Sequence, residues 1–348
     1  MESQKSSAPA AQTPPSESKA PAPDRTMRAM VQREYGLADA LQLDTVAVPD
    51  IADNQVLIRV RAAGLDRGTW HMATGLPYPV RAVSGWRTPK NPILGLDVAG
   101  TVAAVGPAVT RFAVGDEVFG FGKGCFAEYA VASEKMLARK PAALTFEQAA
   151  AVPVSGTTAL QALRDAGKLQ AGQSVLITGA SGGVGTYAVQ IAVAMGATVT
   201  GVCSAAKADL VRSLGAETVI DYTRQDFAAE GRRYDVIIDA AGNPSLKRLR
   251  RALAPGGTAV IVGGEGGDRW TGGLFRPIGG MFLSLFSRQR FVMFMARENA
   301  TEFERLGELI VSGKVTPSID RTYPLKQMPV AIGRLDAGEV RGKAVITI

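Results

Sequence analysis

One stretch, residues 174–185, limits what this chain can fold into more than any other. It begins with a short apolar run, Val175 to Ile177, that is mostly β-branched, as is typical of a strand buried on both faces. Glycines follow at positions 179, 182, 183 and 185. Apolar residues then recur with helical spacing from Val184 to Met195. The stretch therefore predicts a strand, a glycine turn and a helix in immediate succession.

Such a turn is suited to binding an anion, because free N–H groups and the positive end of the helix dipole point into it. Glycine at 182 and 185 leaves room for a pyrophosphate to approach the backbone. By themselves, however, the glycines fit equally well a tight connection that binds nothing. The candidate cofactor-binding residues of the turn are Gly179, Ser181, Gly182, Gly183, Val184 and Gly185.

The residues after the next predicted strand, 198–203, indicate which dinucleotide would bind. They lie about 20 residues beyond the turn, where the adenosine ribose of a dinucleotide belongs, and an NAD site usually has a carboxylate there. This chain has Ser204, with Lys207 just beyond it and Tyr222 after the following strand. Because a hydroxyl and an ammonium would bind a 2′-phosphate that a carboxylate would repel, we predict NADP(H) as the cofactor.

Length and charge narrow the classes of protein to consider. A chain of 348 residues with 46% hydrophobic residues can bury a large core and is expected to hold two domains. The net charge of +7 is scattered, and its densest cluster, 247–251, alternates with leucines as a solvated helix face does, so no nucleic-acid partner is predicted. Two distant cysteines imply no disulfide framework. No secretory signal is recognisable, which favours a cytoplasmic location.

The pattern along the chain divides it into a tail and two domains. Residues 1–26 lack large apolar side chains and are predicted to be disordered. Short strands with turns from 27 to 150 suggest a small barrel. A helix near 158–165 then begins an alternation of strands and helices, and this alternation predicts a parallel, doubly wound sheet. Further strands are expected near 217–220, 234–239 and 257–262. Helices near 299–312 and 326–336 and a strand at 344–348 would return to the barrel, which gives domains 27–150 with 297–348, and 151–296.

Residues 274–296 are apolar but are interrupted by Arg276, Arg288 and Arg290. No run in them approaches the 18 or so residues of a membrane-spanning helix. We interpret residues 266–296 as a lid over an apolar substrate pocket, with an edge strand at 290–296 that pairs two copies in a homodimer. A peripheral membrane contact is the less favoured alternative.

Several motifs together resemble the medium-chain dehydrogenase/reductase superfamily, in its zinc-free quinone oxidoreductase (zeta-crystallin-like) branch. The likeness runs from about Met27 to the C-terminus, and it implies an α/β protein in which a GroES-like barrel packs against a Rossmann domain with the active site between them. The motifs are the segments 95–100, 115–120, 126–129, 149–153 and 179–185, together with Leu214–Ala216 and the pair Gly342–Lys343.

The same resemblance implies roles for individual residues. Zinc-dependent relatives have a cysteine where this chain has Asp66 and a histidine where it has Leu96, and a catalytic zinc needs three protein ligands, so no metal is expected. His71, the only histidine, and Tyr78 are rival proton donors from one loop, and they form the candidate catalytic set with Asp66. A packed, non-functional His71 remains an open alternative. The remaining candidate cofactor-binding residues are Thr157, Gly242, Val262, Gly263 and Lys343.

These inferences predict an NADPH-dependent reductase of quinones or α,β-unsaturated carbonyls. Without a metal to polarise an unactivated ketone, conjugated acceptors are the easier substrates. Two alternatives stay open: an enoyl-thioester reductase, and a non-catalytic protein that senses a nucleotide or binds a partner.

Overall fold

A computed structural model describes residues 26–229, 231–242, 244–263, 269–272, 275–285 and 287–348. The strands are β1 (Thr26–Gln32), β2 (Leu41–Ala47), β3 (Gln55–Leu65), β4 (Asp97–Val105), β5 (Glu117–Phe121), β6 (Tyr129–Ser133), β7 (Leu137–Arg139), β8 (Ser174–Thr178), β9 (Thr198–Cys203), β10 (Thr218–Asp221), β11 (Tyr234–Asp239), β12 (Leu253–Ile261), β13 (Arg290–Met293), β14 (Ile319–Pro324) and β15 (Lys343–Thr347). The α-helices are α1 (Arg67–Thr74), α2 (Arg81–Ser84), α3 (Phe146–Ala150), α4 (Pro153–Gln161), α5 (Gly183–Ala194), α6 (Ala208–Ser213), α7 (Leu246–Ala252), α8 (Phe275–Leu285), α9 (Ala300–Val311) and α10 (Met328–Asp336).

The second half of the chain builds a parallel sheet of six strands in the order β10-β9-β8-β11-β12-β13. Every adjacent pair of strands is parallel. From β8 the chain adds β9 and β10 on one side of the sheet, and it then adds β11, β12 and β13 on the other side, so β8 and β11 are direct neighbours. Val175, Leu176 and Ile177 of β8 are fully buried, as the apolar run predicts. Ligands of such open sheets bind beyond the carboxyl ends of the strands at the reversal point, which lies after Thr178 and Asp239.

The first half builds a curved antiparallel sheet that the C-terminal residues complete. Its seven strands include β3, β4 and β5, and β15 pairs antiparallel with β3 while β14 pairs parallel with β15. The last 30 residues therefore return to the first domain, as predicted. Phe303 of α9 packs on Phe119 of β5 with ring centroids 6.1 Å apart, so the hydrophobic core runs across the junction between the two halves.

The predicted architecture, a barrel with a doubly wound parallel sheet, is confirmed, but some boundaries differ. The helix expected at 158–165 starts at Pro153 and continues beyond Gln161 as a single π-helical turn, Ala162–Ala166. Proline is favoured in the first turn of a helix, where its missing N–H costs nothing. Strand β12 begins at Leu253, four residues before the predicted start, because Leu253 pairs with Tyr234 across an irregularity in the register.

The tail predicted at 1–26 falls almost wholly outside the described residues, and its last member, Thr26, is already paired with Ala47 in the sheet. The predicted edge strand is shorter than expected, at Arg290–Met293, and lies at the outer edge of the six-stranded sheet. Within the described ranges, no helix combines the length and apolar character needed to cross a membrane.

Candidate active site

The glycine turn after β8 has the geometry of an anion site. Gly179 has a φ of +66°, a left-handed conformation that favours glycine, and a Cβ at Gly185 would collide with the carbonyl oxygen of Gly179. Helix α5 starts at Gly183 without a side-chain cap. The Gly183 amide faces the Gly342 carbonyl in an isolated bridge, but among the described residues nothing accepts from the N–H groups of Val184 and Gly185. These two N–H groups and the helix dipole are therefore available to a phosphate.

Three candidate residues meet at the far end of this turn, where β9 ends. Ser204 follows Cys203, the Lys207 amide donates to the Ser204 carbonyl at 3.0 Å, and the Tyr222 amide donates to the Cys203 carbonyl at 3.2 Å. The turn itself is fixed to the same strand, because the Ala180 amide donates to Val202 at 3.1 Å. The predicted ribose-phosphate cluster is thus brought together.

The ammonium of Lys207 is held differently from our expectation. Its Nζ donates to the carbonyl oxygens of Gly338 (2.7 Å) and Val340 (2.9 Å) in the loop before β15. Burial is the main cause that lowers the pKa of Lys207, and the positive charge of Arg341 lowers it further. An ammonium has three protons, so one remains for a further acceptor.

Two charged neighbours of this cluster were missed by the sequence reasoning. Arg341 lies close enough to lower the pKa of Lys207, and its signal was its place directly before the pair Gly342–Lys343. Asp221 lies opposite Cys203 in the sheet, and its carboxylate accepts from the Thr223 amide (3.0 Å) and hydroxyl (2.8 Å). These hydrogen bonds lower the pKa of Asp221. Arg334, which lowers the pKa of Lys207, and Asp320, which raises it, are further charged neighbours of that lysine.

A buried ion pair marks the opposite end of the turn. Asp239, fully buried at the end of β11, accepts from the Thr178 hydroxyl at 2.6 Å and from the Gly242 amide at 3.1 Å. Its second oxygen lies 2.6 Å from Arg276 of α8. The amides of Val262 and Gly263 both donate to the Asp239 carbonyl at 3.1 Å. Three candidate cofactor residues, Gly242, Val262 and Gly263, are therefore organised around one aspartate.

Asp239 and Arg276 were not among the predicted site residues. The available signals were an aspartate that ends an apolar strand and a single arginine within an apolar helix. Arg276 also donates to the carbonyls of Pro244 (2.7 Å) and Gly263 (3.1 Å), so it fixes α8 to this edge of the sheet.

A buried cluster of charges joins the two halves of the chain. Lys343, 1% exposed, lies 2.8 Å from Asp97 and 3.9 Å from Asp66. The other oxygen of Asp97 accepts from the Val154 amide at 2.8 Å, at the start of α4. Asp97 therefore joins the barrel, the first helix of the second domain and the last strand.

Burial dominates the ionisation of this cluster. It raises the pKa of Asp97 to about 7, against the opposing effect of the Lys343 ammonium. Burial also raises the pKa of Glu298, and the negative charge of Asp66 contributes to that shift.

Lys343, a candidate cofactor residue, lies beneath the glycine turn. The Gly342 amide donates to the Ser181 carbonyl at 2.8 Å, and a Cβ on Gly183 would lie 3.2 Å from Cδ of Lys343. Its ammonium is directed at Asp97 rather than into the turn.

The candidate catalytic residues lie along α1 and the loop after it. Asp66 caps α1 by accepting from the Thr69 amide at 2.8 Å, while its Oδ2 is buried without a hydrogen-bond partner among the described residues. Nδ1 of His71 lies 2.7 Å from the Leu76 carbonyl. Since a carbonyl only accepts, Nδ1 carries a proton, and Nε2 is the nitrogen that gains or releases a second one.

Tyr78 connects this loop to the segment before α8. Its amide donates to the Arg269 carbonyl at 2.9 Å, and its ring contacts Trp270 edge-on with centroids 5.0 Å apart. The guanidinium of Arg81 lies over the Tyr78 ring at 4.9 Å. The two halves of the chain thus meet at the Asp97–Lys343 cluster and again at Tyr78.

The site retains buried polar atoms without partners. The hydroxyl of Thr157, fully buried in α4, lacks a hydrogen-bond partner among the described residues, as do the Thr69 hydroxyl and Asp66 Oδ2. Buried polar groups are normally satisfied, so these atoms together with the open amides of the turn fit a polar ligand such as a dinucleotide.

The described residues include no group of three or more His, Cys, Asp or Glu side chains arranged to hold a metal ion. Leu96, at the position of a zinc ligand in zinc-dependent relatives, offers only its carbonyl, which accepts from the Cys125 thiol at 3.6 Å. Burial raises the pKa of that thiol well above its usual range. Cys125 is therefore a packed residue.

Both halves of the chain match families of known proteins. Residues 52–142 match the alcohol dehydrogenase GroES-like domain, and residues 214–346 match the zinc-binding dehydrogenase family. Over 92% of its length the chain is similar to 2-methylene-furan-3-one reductase of Solanum lycopersicum (33% identical, 79% of that protein covered). Over the same share it is similar to two Arabidopsis thaliana proteins, chloroplast envelope quinone oxidoreductase homolog (31%, 98% covered) and NADPH-dependent alkenal/one oxidoreductase (32%, 80% covered).

Solved structures show the same similarity. The quinone oxidoreductase of Coxiella burnetii superposes with a TM-score of 0.82 at 29% identity, covering 93% of this chain and all of that one. A mycobacterial protein solved in complex with NADPH superposes with a TM-score of 0.80 at 26% identity, covering 92% of this chain and all of that one.

Proposed function

Because this chain belongs to the medium-chain dehydrogenase/reductase superfamily, in its quinone oxidoreductase branch, and is an oxidoreductase, we propose that it reduces quinones or α,β-unsaturated carbonyls with NADPH. The observation that carries the proposal is the uncapped glycine turn at the start of α5. Lys207, whose ammonium donates to backbone carbonyls, lies beyond one end of this turn, and the Asp239–Arg276 ion pair lies beyond the other. The names of the relatives support the two acceptor classes.

The proposal assigns the turn to the pyrophosphate and the cluster of Ser204, Lys207 and Tyr222 to the 2′-phosphate. Lys207 retains one proton for that phosphate, and Arg341 adds a second positive charge, against the hydrogen-bonded carboxylate of Asp221. The balance favours NADPH over NADH. Gly242, Val262, Gly263 and the unpartnered Thr157 hydroxyl would hold the nicotinamide end.

When bound, the cofactor would supply the hydride; the protein would hold the two reactants together and exclude water. His71 would stabilise or protonate the reduced acceptor through Nε2, since Nδ1 is fixed on the Leu76 carbonyl. Tyr78 is the rival donor. Asp66, which caps α1, would hold the start of the helix that carries His71.

The decisive experiment is a panel of quinones, enones and crotonyl thioesters with NADPH, followed by the loss of absorbance of the reduced cofactor. We expect turnover of quinones or enones and little of thioesters. Preferential turnover of crotonyl thioesters would identify an enoyl-thioester reductase instead. NADPH binding without oxidation by any acceptor would identify a nucleotide-sensing protein.

Activity is also predicted to be independent of zinc. The motivation is Leu96 and the presence of a single histidine in the chain, which leave too few ligands for a catalytic zinc. Purified protein should retain activity after dialysis against a chelator, and elemental analysis should find no stoichiometric metal. One zinc per chain, lost together with activity, would contradict the prediction.

Three further assignments belong to the proposal. The domain limits 27–150 with 297–348, and 151–296, are supported by the six strands of the parallel sheet, all of which fall within the second range. A homodimer paired through β13 is supported by the place of that strand at the sheet edge. A cytoplasmic location is the third assignment, and it differs from the chloroplastic or mitochondrial location that the names of several relatives give.

A further inference from the structure

Helix α8 presents large apolar side chains to solvent. Phe275, Ile278, Met281, Phe282 and Leu285 are 72%, 44%, 55%, 63% and 74% exposed. At roughly 100° per residue they share about a third of the helix circumference. We call these five residues the α8 stripe. The stripe contains no charged residue. Its apolar side chains are adjacent to one another, whereas exposed apolar side chains on a protein surface are normally scattered singly.

The stripe is not a misplaced core face, because the opposite side of α8 is already packed. Gly280 is buried against Leu246 of α7 and Phe291 of β13, and Leu283 contacts the same core. On that inner side, Arg276 forms its buried pair with Asp239. The helix is therefore fixed with the stripe outward. The lid interpretation of the sequence, in which these residues cover a pocket, does not account for their exposure.

The segment that carries the stripe is basic, and the nearest acidic residues in the sequence, Asp268 and Glu298, flank it on either side. Residues 269–297 contain five arginines and no aspartate or glutamate. Arg269 lies before the helix, Arg288 and Arg290 follow it, and all three are exposed. Helix α7, which packs beside α8, adds four basic residues, of which Arg248 and Arg251 pair with Asp226. Among the described residues, no carboxylate pairs with Arg288, Arg290 or the other two, Lys247 and Arg250.

We propose that the α8 stripe and these basic residues form a peripheral docking surface for an anionic phospholipid bilayer. Helix α8 is about 16 Å long, too short to cross a bilayer, but it can lie in the plane of the interface with Phe and Leu side chains among the acyl chains. The arginines at both ends and the basic helix beside it would contact acidic headgroups. The surface supplies both components of interfacial binding, apolar area and positive charge.

The charge pattern favours a bilayer over a second copy of the chain on this face. In a two-fold symmetric interface the same patch meets itself. Residues 269–297 contain no acidic side chain, and Arg288 and Arg290 have no carboxylate partner among the described residues, so self-pairing of this segment would bring like charges together. A dimer paired through the β13 edge would share Arg290 with this surface and would lie beside α8, which packs on β13, so the oligomeric state is measured together with vesicle binding. The docking surface does not depend on the proposed reductase activity.

The test is co-sedimentation of the full-length protein with vesicles of phosphatidylcholine alone or with phosphatidylcholine containing 30% phosphatidylglycerol, roughly the level at which basic residues respond to acidic lipid. We expect binding to the acidic vesicles that weakens as salt is raised, and little binding to the neutral ones. Phe282→Gln with Leu285→Gln should lower the partition coefficient by about 10-fold or more. Arg288→Gln with Arg290→Gln should lower it by about 10- to 30-fold on acidic vesicles only.

The matched control is Val311→Gln with Val330→Gln, which removes equally exposed apolar side chains from α9 and α10. Its binding should equal that of the unaltered protein, and all variants should keep the same circular dichroism and NADPH affinity. Absence of binding to acidic vesicles, or equal losses in control and stripe variants, would overturn the proposal. It would also be overturned if sedimentation velocity showed a dimer that the Phe282 and Leu285 changes convert to monomer, because the occupant would then be a second copy.

Discussion

The ammonium of Lys207 carries two hydrogen bonds that its position in the sequence could not predict. Its partners, the carbonyls of Gly338 and Val340, lie more than 130 residues further along the chain. The sequence correctly placed Ser204 and Lys207 after β9 and Tyr222 after β10, at the position that the proposal assigns to the ribose phosphate. It gave no information about the loop before β15, because that loop reaches the site through tertiary contacts, namely the pairing of β15 with β3 and the hydrogen bond from the Gly342 amide to Ser181.

We predict that Lys207→Ala raises the dissociation constant of NADPH by the equivalent of about 1.5–3 kcal/mol, the usual value of a charge-assisted hydrogen bond. NADH lacks the 2′-phosphate, so its affinity serves as the control. Isothermal titration calorimetry with both cofactors separates the two roles of the lysine. An equal loss for both cofactors would show that Lys207 only anchors the loop at 338–340.

The geometry of His71 makes its proposed role testable. With Nδ1 fixed on the Leu76 carbonyl, His71→Ala removes both a proton carrier at Nε2 and a support of the loop. His71→Asn is the matched control, because an asparagine amide can replace the Nδ1–H donor but cannot act as an acid. If His71 donates the proton, both variants should lower kcat by about 10²- to 10⁴-fold and lose an ionisation near neutrality.

The other outcomes assign other roles to His71. A rise in the KM for NADPH with kcat little changed would indicate binding of the cofactor ribose, which is shared by the ground and transition states. Recovery of full activity by His71→Asn would indicate a loop support. Steady-state kinetics from about pH 5 to 9 distinguishes these cases.

At the scale of elements, local sequence was most informative where strand, turn and helix follow one another directly. Strand β8 and the start of α5 lie where the apolar run and the glycines predicted them. Prediction was weakest where tertiary contacts set the boundary, as in β12, whose first residue depends on a register shift against β11. The π-helical turn after α4 had no local signal in the sequence.

The glycine turn allows binding and folding to be separated. A Cβ at Gly182, whose φ is −88°, would have only the Gly179 carbonyl within 4 Å, at 3.4 Å, whereas a Cβ at Gly185 would collide with that carbonyl. Gly182→Ala should therefore keep its melting temperature but bind NADPH at least 10-fold more weakly, because the methyl group would lie where the proposal places the pyrophosphate. Gly185→Ala should lose about 1–3 kcal/mol of stability. Calorimetric melting and NADPH titration measure both; unchanged affinity in Gly182→Ala would place the phosphates elsewhere.

At the scale of the whole molecule, the two halves share a hydrophobic core and also meet at a few polar residues, and no local pattern reveals which polar residues meet. Both domains and the return of the C-terminus were predictable, since they follow from strand–helix alternation and from motif order. The cluster of Asp66, Asp97 and Lys343 was not, because it joins residues up to 277 positions apart that only the assembled sheets bring within 4 Å. The same holds for Asp239 and Arg276.

The raised pKa of Asp97 predicts how this junction responds to pH. The pKa is about 7 in the folded protein, whereas the ordinary value for an aspartate, expected in the unfolded chain, is 3.8. Between these values the folded protein holds a proton that the unfolded chain has released, so rising pH favours unfolding. The contribution of Asp97 to stability is therefore complete below about pH 4 and is lost as the pH passes through 7.

Asp97→Asn isolates this effect, because it keeps a polar side chain that does not titrate. The unfolding free energy of the unaltered protein minus that of Asp97→Asn should fall steadily from about pH 5 to 8 and then level off. Urea unfolding in the same buffers at each pH measures both proteins. A difference that grows with pH would contradict the prediction, since it would mean that the Lys343 ammonium, 2.8 Å away, keeps Asp97 ionised more effectively than burial opposes it. Lys343→Met removes that ammonium and should make the fall extend to higher pH, because only the effect of burial then remains.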